Sequence, residues 1–270
     1  MDEMTLAQEL PQLDATSLVD GERVEREVKD MYRHVARGDV ADLHFEVGRS
    51  VAERLGYPAH LLDAIPAEAL GSFAGVGHHL DLAALRPGEA VLDLGSGSGT
   101  DLFCAAVLVG GAGRVVGVDF TDAQLDKATR LRNGFAQVEL VEAHIEALPF
   151  EDESFDAVIS NGVINLSPRK DRVFAEAARV LRPGGRLAIS DVVSGRALKE
   201  RTRRNVDLWA ACIAGAIPEH AYAAAIEESG LRVETVRDND AYDFITDRAA
   251  RACAKYGVRS VSLRATKPWA

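Results

Sequence analysis

The sequence is poor in cysteine, in positive charge and in long apolar stretches, and each shortage excludes a class of protein. Its three cysteines, Cys104, Cys212 and Cys253, lie far apart and form no C-x-x-C pair. A sparse, odd number of cysteines argues against a disulfide framework and is typical of a reducing compartment. No apolar run approaches the ~18 residues that span a membrane, and the acidic start Met1–Met4 lacks the apolar core of a signal peptide. We therefore expect a cytoplasmic protein without a membrane partner.

Positive charge is scarce because 31 lysine and arginine residues stand against 42 aspartate and glutamate residues, which gives a formal net charge of −11 at pH 7. A chain this acidic repels phosphate backbones and lacks the basic surface that nucleic-acid binding requires. We therefore expect no nucleic-acid partner, but the charge does not exclude binding of a small nucleotide-like ligand. With 47% apolar residues, the 270-residue chain can bury a full core without disulfides or a structural metal.

The predicted elements change in kind about one third of the way along the chain. Helical patterns cover Gly21–Arg37 and Leu61–Ala69, and no strand pattern precedes residue 90. From Ala90–Leu94 onward, short apolar runs alternate with helices of about ten residues, which is typical of a parallel sheet covered on both faces. The sequence thus predicts an α/β fold, a doubly wound and mostly parallel sheet, with a helical N-terminal cap over residues 1–80 and a ligand-binding domain over residues 81–270.

This alternation continues to the end of the chain. Further strands are predicted over Arg114–Asp119, Val138–Glu142, Ala157–Ser160, Arg186–Ser190, Val233–Val236 and Val258–Ala265. Further helices are predicted over Asp101–Val109, Asp122–Arg132, Asp171–Leu181, Arg201–Ala211 and Glu219–Ser229. No internal repeat or low-complexity linker interrupts the order.

A glycine-rich segment, Asp93-Leu-Gly95-Ser-Gly97-Ser-Gly99, stands between the first predicted strand and the next helix. Glycine suits a sharp turn whose backbone a ligand approaches closely. A dinucleotide fingerprint G-x-G-x-x-G counted from Gly95 would place its last glycine at Thr100, but the third glycine comes one residue earlier. The spacing therefore disfavours a nicotinamide dinucleotide.

Asp119 ends the next predicted strand, RVVGVD. A carboxylate at this place can accept both hydroxyls of a ribose. An adenosine without a diphosphate fits both this carboxylate and the glycine spacing. A turn or helix-capping role is the alternative interpretation of Asp119 taken alone.

Four segments in this order resemble the class I S-adenosylmethionine-dependent methyltransferases: DLGSGSG (93–99), GVDFT (117–121), IEALPFEDESFDAVIS (145–160) and RVLRPGGRL (179–187). The resemblance implies a Rossmann-like fold, S-adenosyl-L-methionine as the cofactor, and methyl transfer to a small-molecule acceptor without a metal.

The same resemblance assigns roles to residues at matching positions. Asp119 would bind the ribose hydroxyls, Phe120 would pack on the adenine, and Asn161 would lie beside the methionine end. The cofactor-binding residues that it implies are Asp93, Gly95, Ser96, Gly97, Gly99, Asp119, Phe120, Thr121, Gln124, His144, Ile145 and Asn161. Ordinary core packing is the alternative interpretation of Phe120 and Ile145.

A narrower resemblance covers residues 20–267. The segment SNGVINLSP (160–168) resembles the motif S-N-C-V-I-N-L-S-P of arsenite methyltransferases, and the match includes LGY (55–57), WAACIAGA (209–216) and KYGVRSV (255–261). This resemblance implies an arsenic site of three cysteine thiolates.

The chain departs from that arsenic site at two of its three cysteines. Cys212 matches, but Gly162 replaces the cysteine of S-N-C, and the segment at residues 72–79 carries His78 and His79 and no cysteine. Imidazole is a harder donor than a thiolate and a poor substitute toward a soft ion. Cys104 and Cys253 are expected to be small packing residues. We therefore expect an organic acceptor, with arsenite methylation through Cys212 as the alternative.

Methyl transfer from a sulfonium requires alignment of the reactants and exclusion of water. A base assists where the acceptor must lose a proton. His78 and His79 are the candidate bases because they precede the glycine segment, and Cys212 is the other candidate contact with the acceptor. Helix-capping or solvated histidines and a buried cysteine are the alternative interpretations. Two other functions compete with methyl transfer, namely a nicotinamide-dependent oxidoreductase and a non-catalytic S-adenosylmethionine-binding module. The sequence does not decide whether the protein forms a homo-oligomer.

Overall fold

The computed structural model describes residues 13–39, 43, 45–205, 209, 213–245 and 247–269. Its strands are β1 Ala90–Leu94, β2 Arg114–Asp119, β3 Val138–Glu142, β4 Phe155–Asn161, β5 Leu181–Val193, β6 Arg232–Asp238 and β7 Arg259–Thr266. Its helices are α1 Gly21–Arg37, α2 Arg49–Arg54, α3 Ala59–Leu62, α4 Ala67–Leu70, α5 Leu80–Ala83, α6 Thr100–Val109, α7 Asp122–Leu131, α8 Lys170–Val180, α9 Glu200–Arg203, α10 Glu219–Glu228 and α11 Asp247–Tyr256.

The strands form one sheet in the order β3-β2-β1-β4-β5-β7-β6. Strands β1 to β5 are parallel, whereas β7 runs antiparallel to both β5 and β6. The chain moves outward from β1 to β3 and then returns to β4, so the strand order reverses between β1 and β4. Loops that diverge at such a switch point leave a crevice at the carboxyl ends of the strands. The predicted doubly wound, mostly parallel sheet is confirmed.

Both faces of the central strands are covered, which explains why they appear in the sequence as apolar runs. Val91, Leu92 and Leu94 of β1 are fully buried. Cys104 on α6 is fully buried, as expected for a packing residue, and Cys253 is partly buried. Within the described residues, no helix is long and apolar enough to cross a bilayer.

Helix α1 has the predicted bounds because both of its ends carry suitable capping residues. The Asp20 side chain accepts a hydrogen bond from the Arg23 N–H at 3.2 Å, and Gly38 ends the helix with a left-handed φ of 79°. The buried residues Val24 and Val28 lie one helical turn apart and face the rest of the protein. The helix packs on α7 near the carboxyl end of the sheet.

Two predicted helices differ from the structure. The pattern over Leu61–Ala69 forms the two helices α3 and α4, because a proline disfavours the helical conformation at the residue before it and Pro66 lies at the start of α4. Of the predicted helix Arg201–Ala211, residues 206–208, 210 and 211 lie outside the described residues, and α9 covers the beginning. Helices α2, α5 and α11 have no counterpart in the sequence prediction.

The division of the chain at residue 80 stays a prediction. Apolar residues from both sides of that position share one cluster, in which Val51, Leu62 and Phe73 pack together with Val91 and Phe103. The helical cap and the sheet therefore have a common core.

Candidate active site

A cavity of about 380 Å³ lies at the carboxyl ends of β1, β2 and β4, at the switch point. Its walls are the loop after β1, residues that follow β2 and β3, the loop after β4, the segment Ser72–Gly75 and one side of α1. The cavity is therefore closed in part by the helical cap that the sequence predicted. Ligands bind at this place in open α/β sheets.

The glycine loop, residues 95–99, has a backbone that requires glycine. Gly95, Gly97 and Gly99 have φ values of 69°, 53° and 99°. A Cβ atom on Gly95 would lie 2.4 Å from the Val163 side chain, and one on Gly99 would lie 2.6 Å from the Phe103 ring. Neighbouring elements thus pack directly on the loop, and its turn keeps the backbone accessible to the cavity.

Asp119, at the end of β2, lines the cavity beside this loop. Its Oδ2 accepts a hydrogen bond from the Gly97 N–H at 2.9 Å, and its Oδ1 accepts one from the Thr121 N–H at 2.8 Å. Burial raises the pKa of this carboxyl, and the backbone donors oppose that shift. Each oxygen keeps a second lone pair, so the carboxylate can accept hydrogen bonds from two neighbouring hydroxyls.

An aromatic wall continues from Asp119 along the cavity. The rings of Phe120 and His144 are parallel to within 5° at a centroid distance of 5.6 Å. Lys29 of α1 places its Nζ 5.1 Å from the centre of the Phe120 ring, and Ile145 is buried beside them with 5% exposure. This end of the cavity can take a flat, apolar ring.

Gln124 and Thr121, which were predicted to bind the cofactor, also line the cavity. The amide of Gln124 is used within the protein: its Nε2 donates to the Tyr32 carbonyl at 3.0 Å, and its Oε1 accepts from the Ser98 hydroxyl. Gln124 therefore joins the glycine loop to α1.

Two buried polar atoms at and beside the glycine loop lack partners. Asp93 Oδ2 and Ser96 Oγ have no hydrogen-bond partner among the described residues, and the two residues are 2% and 7% exposed. Burial raises the pKa of Asp93 well above its usual value, and the negative charges of Asp101 and Asp119 add to the shift. All three carboxyl groups belong to residues that line the cavity.

Asn161 lines the cavity at the end of β4, but its amide is saturated by protein groups. Its Oδ1 accepts from the Val76 N–H at 2.8 Å, and its Nδ2 lies 3.0 Å from the Gly77 carbonyl oxygen. The same Nδ2 lies 3.1 Å from both Tyr57 Oη and Asp101 Oδ2. Asn161 therefore fixes residues 72–79 against the end of β4.

Two residues of this network, Tyr57 and Asp101, were missed by the sequence analysis. Tyr57 Oη donates to Asp101 Oδ1 at 2.5 Å, although 44 positions separate the two residues. The sequence signals were the LGY match and the acid two residues after Gly99, and neither one specifies the contact.

Comparisons with known proteins agree with this geometry. A family model described as "Methyltransferase domain" matches residues 85–248. The chain belongs to the class I S-adenosylmethionine-dependent methyltransferases. This membership confirms the family that the sequence motifs predicted and argues against the competing hypothesis of a nicotinamide-dependent oxidoreductase.

Among its relatives, an arsenite methyltransferase of Halobacterium salinarum is 41% identical over 235 residues, which are 86% of this chain and 60% of that protein. One of Aquipseudomonas alcaligenes is 44% identical over 166 residues, or 58% of this chain and 47% of that protein. The crystal structure of an arsenic(III) S-adenosylmethionine methyltransferase from Chlamydomonas reinhardtii has 32% identity and a TM-score of 0.62, covering 83% of this chain and 74% of that one. The methyltransferase chain thus spans 60% or less of the length of these two curated relatives.

The methyltransferase cavity does not include the two predicted bases among its lining residues. His79 is fully buried, its Nδ1 lies 3.5 Å from Ser190 Oγ, and burial lowers the pKa of its ring to about 4. His78 packs on Tyr57 with ring centres 4.4 Å apart, and burial also lowers its pKa. The role predicted for these histidines stays a prediction without support from their position. Cys212 lies outside the described residues.

Gly162, which replaces a cysteine of the arsenite methyltransferase motif, faces an apolar side chain. Its φ is 72°, and a Cβ atom there would lie 3.3 Å from Val76 Cγ1. Val76 is 2% exposed and belongs to the segment 72–79 that has no cysteine. Gly162 and Val76 are not among the described residues that line the cavity, and their packing involves hydrocarbon and no sulfur.

Proposed function

We propose that the protein transfers a methyl group from S-adenosyl-L-methionine to a small organic acceptor. The observation that carries the proposal is the cavity at the switch point, which Asp119, the glycine loop and the buried carboxyl groups of Asp93 and Asp101 all line. Its volume of about 380 Å³ falls within the ~300–1,000 Å³ that small-molecule sites occupy.

The residues present fit this cofactor. Asp119 offers both carboxylate oxygens to the ribose hydroxyls, and Phe120 and Ile145 offer apolar surface to the adenine. Asp93 and Asp101 place two buried carboxyl groups in the cavity that would hold the positively charged methionine moiety. No ion pair between described residues includes any of these three carboxylates, so a cationic ligand would complete their surroundings.

The cofactor, when bound, supplies a methyl group that its sulfonium sulfur has already activated. The protein then has to align the acceptor with this methyl group and keep water away. Val24, Val28 and Tyr32 of α1 line the cavity with mostly apolar surface, and Asn161 fixes the segment 72–79 through its backbone. Both features serve alignment and water exclusion.

An organic acceptor is favoured because two of the three sulfur donors that the resemblance to arsenite methyltransferases implies are missing from this sequence. A soft ion such as trivalent arsenic is bound by thiolates, and neither Gly162 nor the segment 72–79 offers sulfur. The cavity is instead lined by apolar side chains such as Phe73, Val163 and Leu166, which suit the carbon skeleton of an organic molecule.

Arsenite is the second candidate acceptor, and the similarity to arsenite methyltransferases favours it. Cys212 stands at a position that matches one of the three arsenic-binding cysteines of that family. A single thiolate lacks the other two donors of such a site.

Two measurements test the proposed function. Isothermal titration calorimetry with S-adenosylhomocysteine should give binding that is weakened in Asp119→Asn and unchanged in Asp126→Asn, a change on the exposed side of α7. Isotopic methyl transfer is then measured against a panel of small organic acceptors and arsenite, with the wild type and Cys212→Ser.

Labelling of an organic acceptor by both proteins would support the proposal. Methylated arsenic formed by the wild type and lost in Cys212→Ser would establish arsenite as the acceptor. Binding without transfer to any acceptor would favour a non-catalytic module, and absence of binding would contradict both.

A further inference from the structure

We infer that Lys170 and Asp191, two buried residues of opposite charge, position the loop 163–168 and with it the apolar wall that this loop gives to the cavity. Both are positioning residues, since neither one is among the described residues that line the cavity. The inference rests on the proposed function and deepens it, because this wall would set the fit of the organic acceptor.

The loop 163–168 follows β4 and forms one side of the cavity. Its Val163 and Leu166 line the cavity with apolar side chains, and Ile164–Leu166 form a single 3₁₀ turn. The internal hydrogen bonds of such a turn have poor geometry, so its conformation depends on groups outside it. The shape of the apolar wall therefore depends on the side chains that bind the backbone of this turn.

The backbone of Asn165, in the middle of the turn, is bonded to opposite charges at its two polar groups. Its N–H donates to Asp191 Oδ2 at 2.9 Å, and its carbonyl oxygen accepts from Lys170 Nζ at 3.1 Å. Lys170 Nζ also donates to the Ser167 carbonyl at 2.9 Å. Because hydrogen bonds to charged groups are stronger than those between neutral groups, the two side chains fix the turn from both sides.

Both charges are buried, and each one acts on the other. Lys170 and Asp191 are each 1% exposed, and Asp191 also accepts from the Tyr222 hydroxyl at 2.8 Å. Burial raises the pKa of Asp191 to about 6, and the positive charge of Lys170 opposes this shift. The removal of one partner of a buried charge pair is tolerated less well than the removal of both. We therefore expect the two residues to act as a unit.

Lys170 also connects the turn to a buried tryptophan. Its Nζ lies 5.2 Å from the centre of the Trp209 ring, which is within the range of a cation–π contact. Trp209 is 1% exposed and packs in one cluster with Leu166 and Val24, and both of these residues line the cavity. The indole of Trp209 can therefore report how the apolar wall is packed.

The first test measures acrylamide quenching of Trp209 fluorescence in a Trp269→Phe background, which leaves one tryptophan in the chain. Lys170→Met keeps an unbranched side chain without the charge, and we expect the quenching constant to rise by about twofold or more as the close packing loosens. Asp191→Asn should have the same effect. Lys170→Arg keeps the charge and should stay close to the wild type, as should the control Asp126→Asn at an exposed position.

The second test measures methyl transfer to the organic acceptor that the labelling panel identifies. In Lys170→Met and in Asp191→Asn we expect the KM for the acceptor to rise by about 10-fold or more, because a displaced wall misaligns it. The dissociation constant of S-adenosylhomocysteine should change by less than about threefold, since the proposed ribose site at Asp119 lies on the other side of β1.

The double variant Lys170→Met/Asp191→Asn tests whether the two charges act as a unit. Its increase in KM should be smaller than the product of the two single increases, because residues that act on the same backbone are not additive. If Asp191→Asn folds poorly, Tyr222→Phe removes one donor to Asp191 and should give a smaller change of the same kind.

The inference is overturned if folded Lys170→Met leaves both the quenching of Trp209 and the acceptor KM at their wild-type values. An equal loss of cofactor affinity and acceptor affinity would also contradict it, since that result indicates a general structural role. The fluorescence test needs no acceptor. A wild type that labels no acceptor would therefore contradict the proposed function, while Trp209 would still decide whether the two charges position the loop.

Discussion

The substitution Gly95→Ala tests whether the glycine loop is shaped by its packing against the loop after β4. The left-handed backbone at Gly95, with φ of 69°, costs an L-residue about 1–2 kcal/mol. The new methyl group would lie 2.4 Å from the Val163 side chain, and overpacking of this kind costs about 1–3 kcal/mol. We therefore expect a loss of about 2–5 kcal/mol in the free energy of unfolding.

Gly134→Ala is the matched control for this substitution. Gly134 has a φ of 94°, and nothing lies within 4 Å of a Cβ atom built on it. The control thus carries only the backbone cost of about 1–2 kcal/mol. Urea unfolding followed by circular dichroism gives both values under the same conditions.

The difference between the two variants measures the steric contact at Val163. Equal losses in Gly95→Ala and Gly134→Ala would refute the close packing of the glycine loop on the loop after β4. The clash should also displace the backbone of the loop, so a folded Gly95→Ala protein should bind S-adenosylhomocysteine more weakly than the wild type, whereas Gly134→Ala should bind it normally.

Three further predictions follow from the site. Asn161→Asp loses the donor to the Gly77 carbonyl and adds a charge beside Asp101, so we expect the free energy of unfolding, measured in urea, to fall by about 2–4 kcal/mol. The control Asn133→Asp, at an exposed position, should lower it by less than about 0.5 kcal/mol. The pKa of His79 is about 4 in the folded protein and about 6.5 in the unfolded chain, so the wild type should lose stability as pH falls from 6.5 to 4, because the unfolded state binds more protons there. His79→Gln should reduce this pH-dependent change in the free energy of unfolding by up to about 3 kcal/mol. An unchanged pH dependence would contradict the burial of the ring. Phe120→Ala should lower the affinity for S-adenosylhomocysteine by about tenfold, since an aromatic stacking contact contributes about 1–3 kcal/mol, and an unaltered dissociation constant would place the adenine elsewhere.

The sheet could be predicted from the sequence because each central strand is buried on both faces. Ala90–Leu94 and Arg114–Asp119 are mostly apolar runs between turn residues, and both have the predicted bounds. Helix Gly21–Arg37 was predictable because its ends carry an aspartate and a glycine that cap it. The break before Pro66 shows where apolar periodicity fails as a predictor of helices. The apolar spacing continues through Ile65, but the proline after it disfavours the helical conformation at that residue.

The candidate site was predictable only where its residues follow one another in the chain. The glycine loop follows β1 and Asp119 ends the neighbouring parallel strand β2, so the fold brings them together. Tyr57 and Asp101 meet through tertiary packing, which no local pattern encodes. The role predicted for the histidines stays a prediction that their position does not support. His79 is near the cavity segment in sequence, but α5 begins next to it and its Nδ1 lies 3.5 Å from Ser190 Oγ of β5.

The candidate cofactor site and the candidate acceptor site obey different physical demands. A ribose and an adenine need a carboxylate and an apolar surface, and this chain has Asp119 bonded to the glycine loop and Phe120 lining the same cavity. A soft ion needs several thiolates that converge on one point, and Gly162 and the segment 72–79 offer none. Under the proposed function, affinity for an organic acceptor would come from buried hydrocarbon area. The absence of sulfur at these positions would then change the acceptor and leave in place the residues proposed to bind the methyl donor.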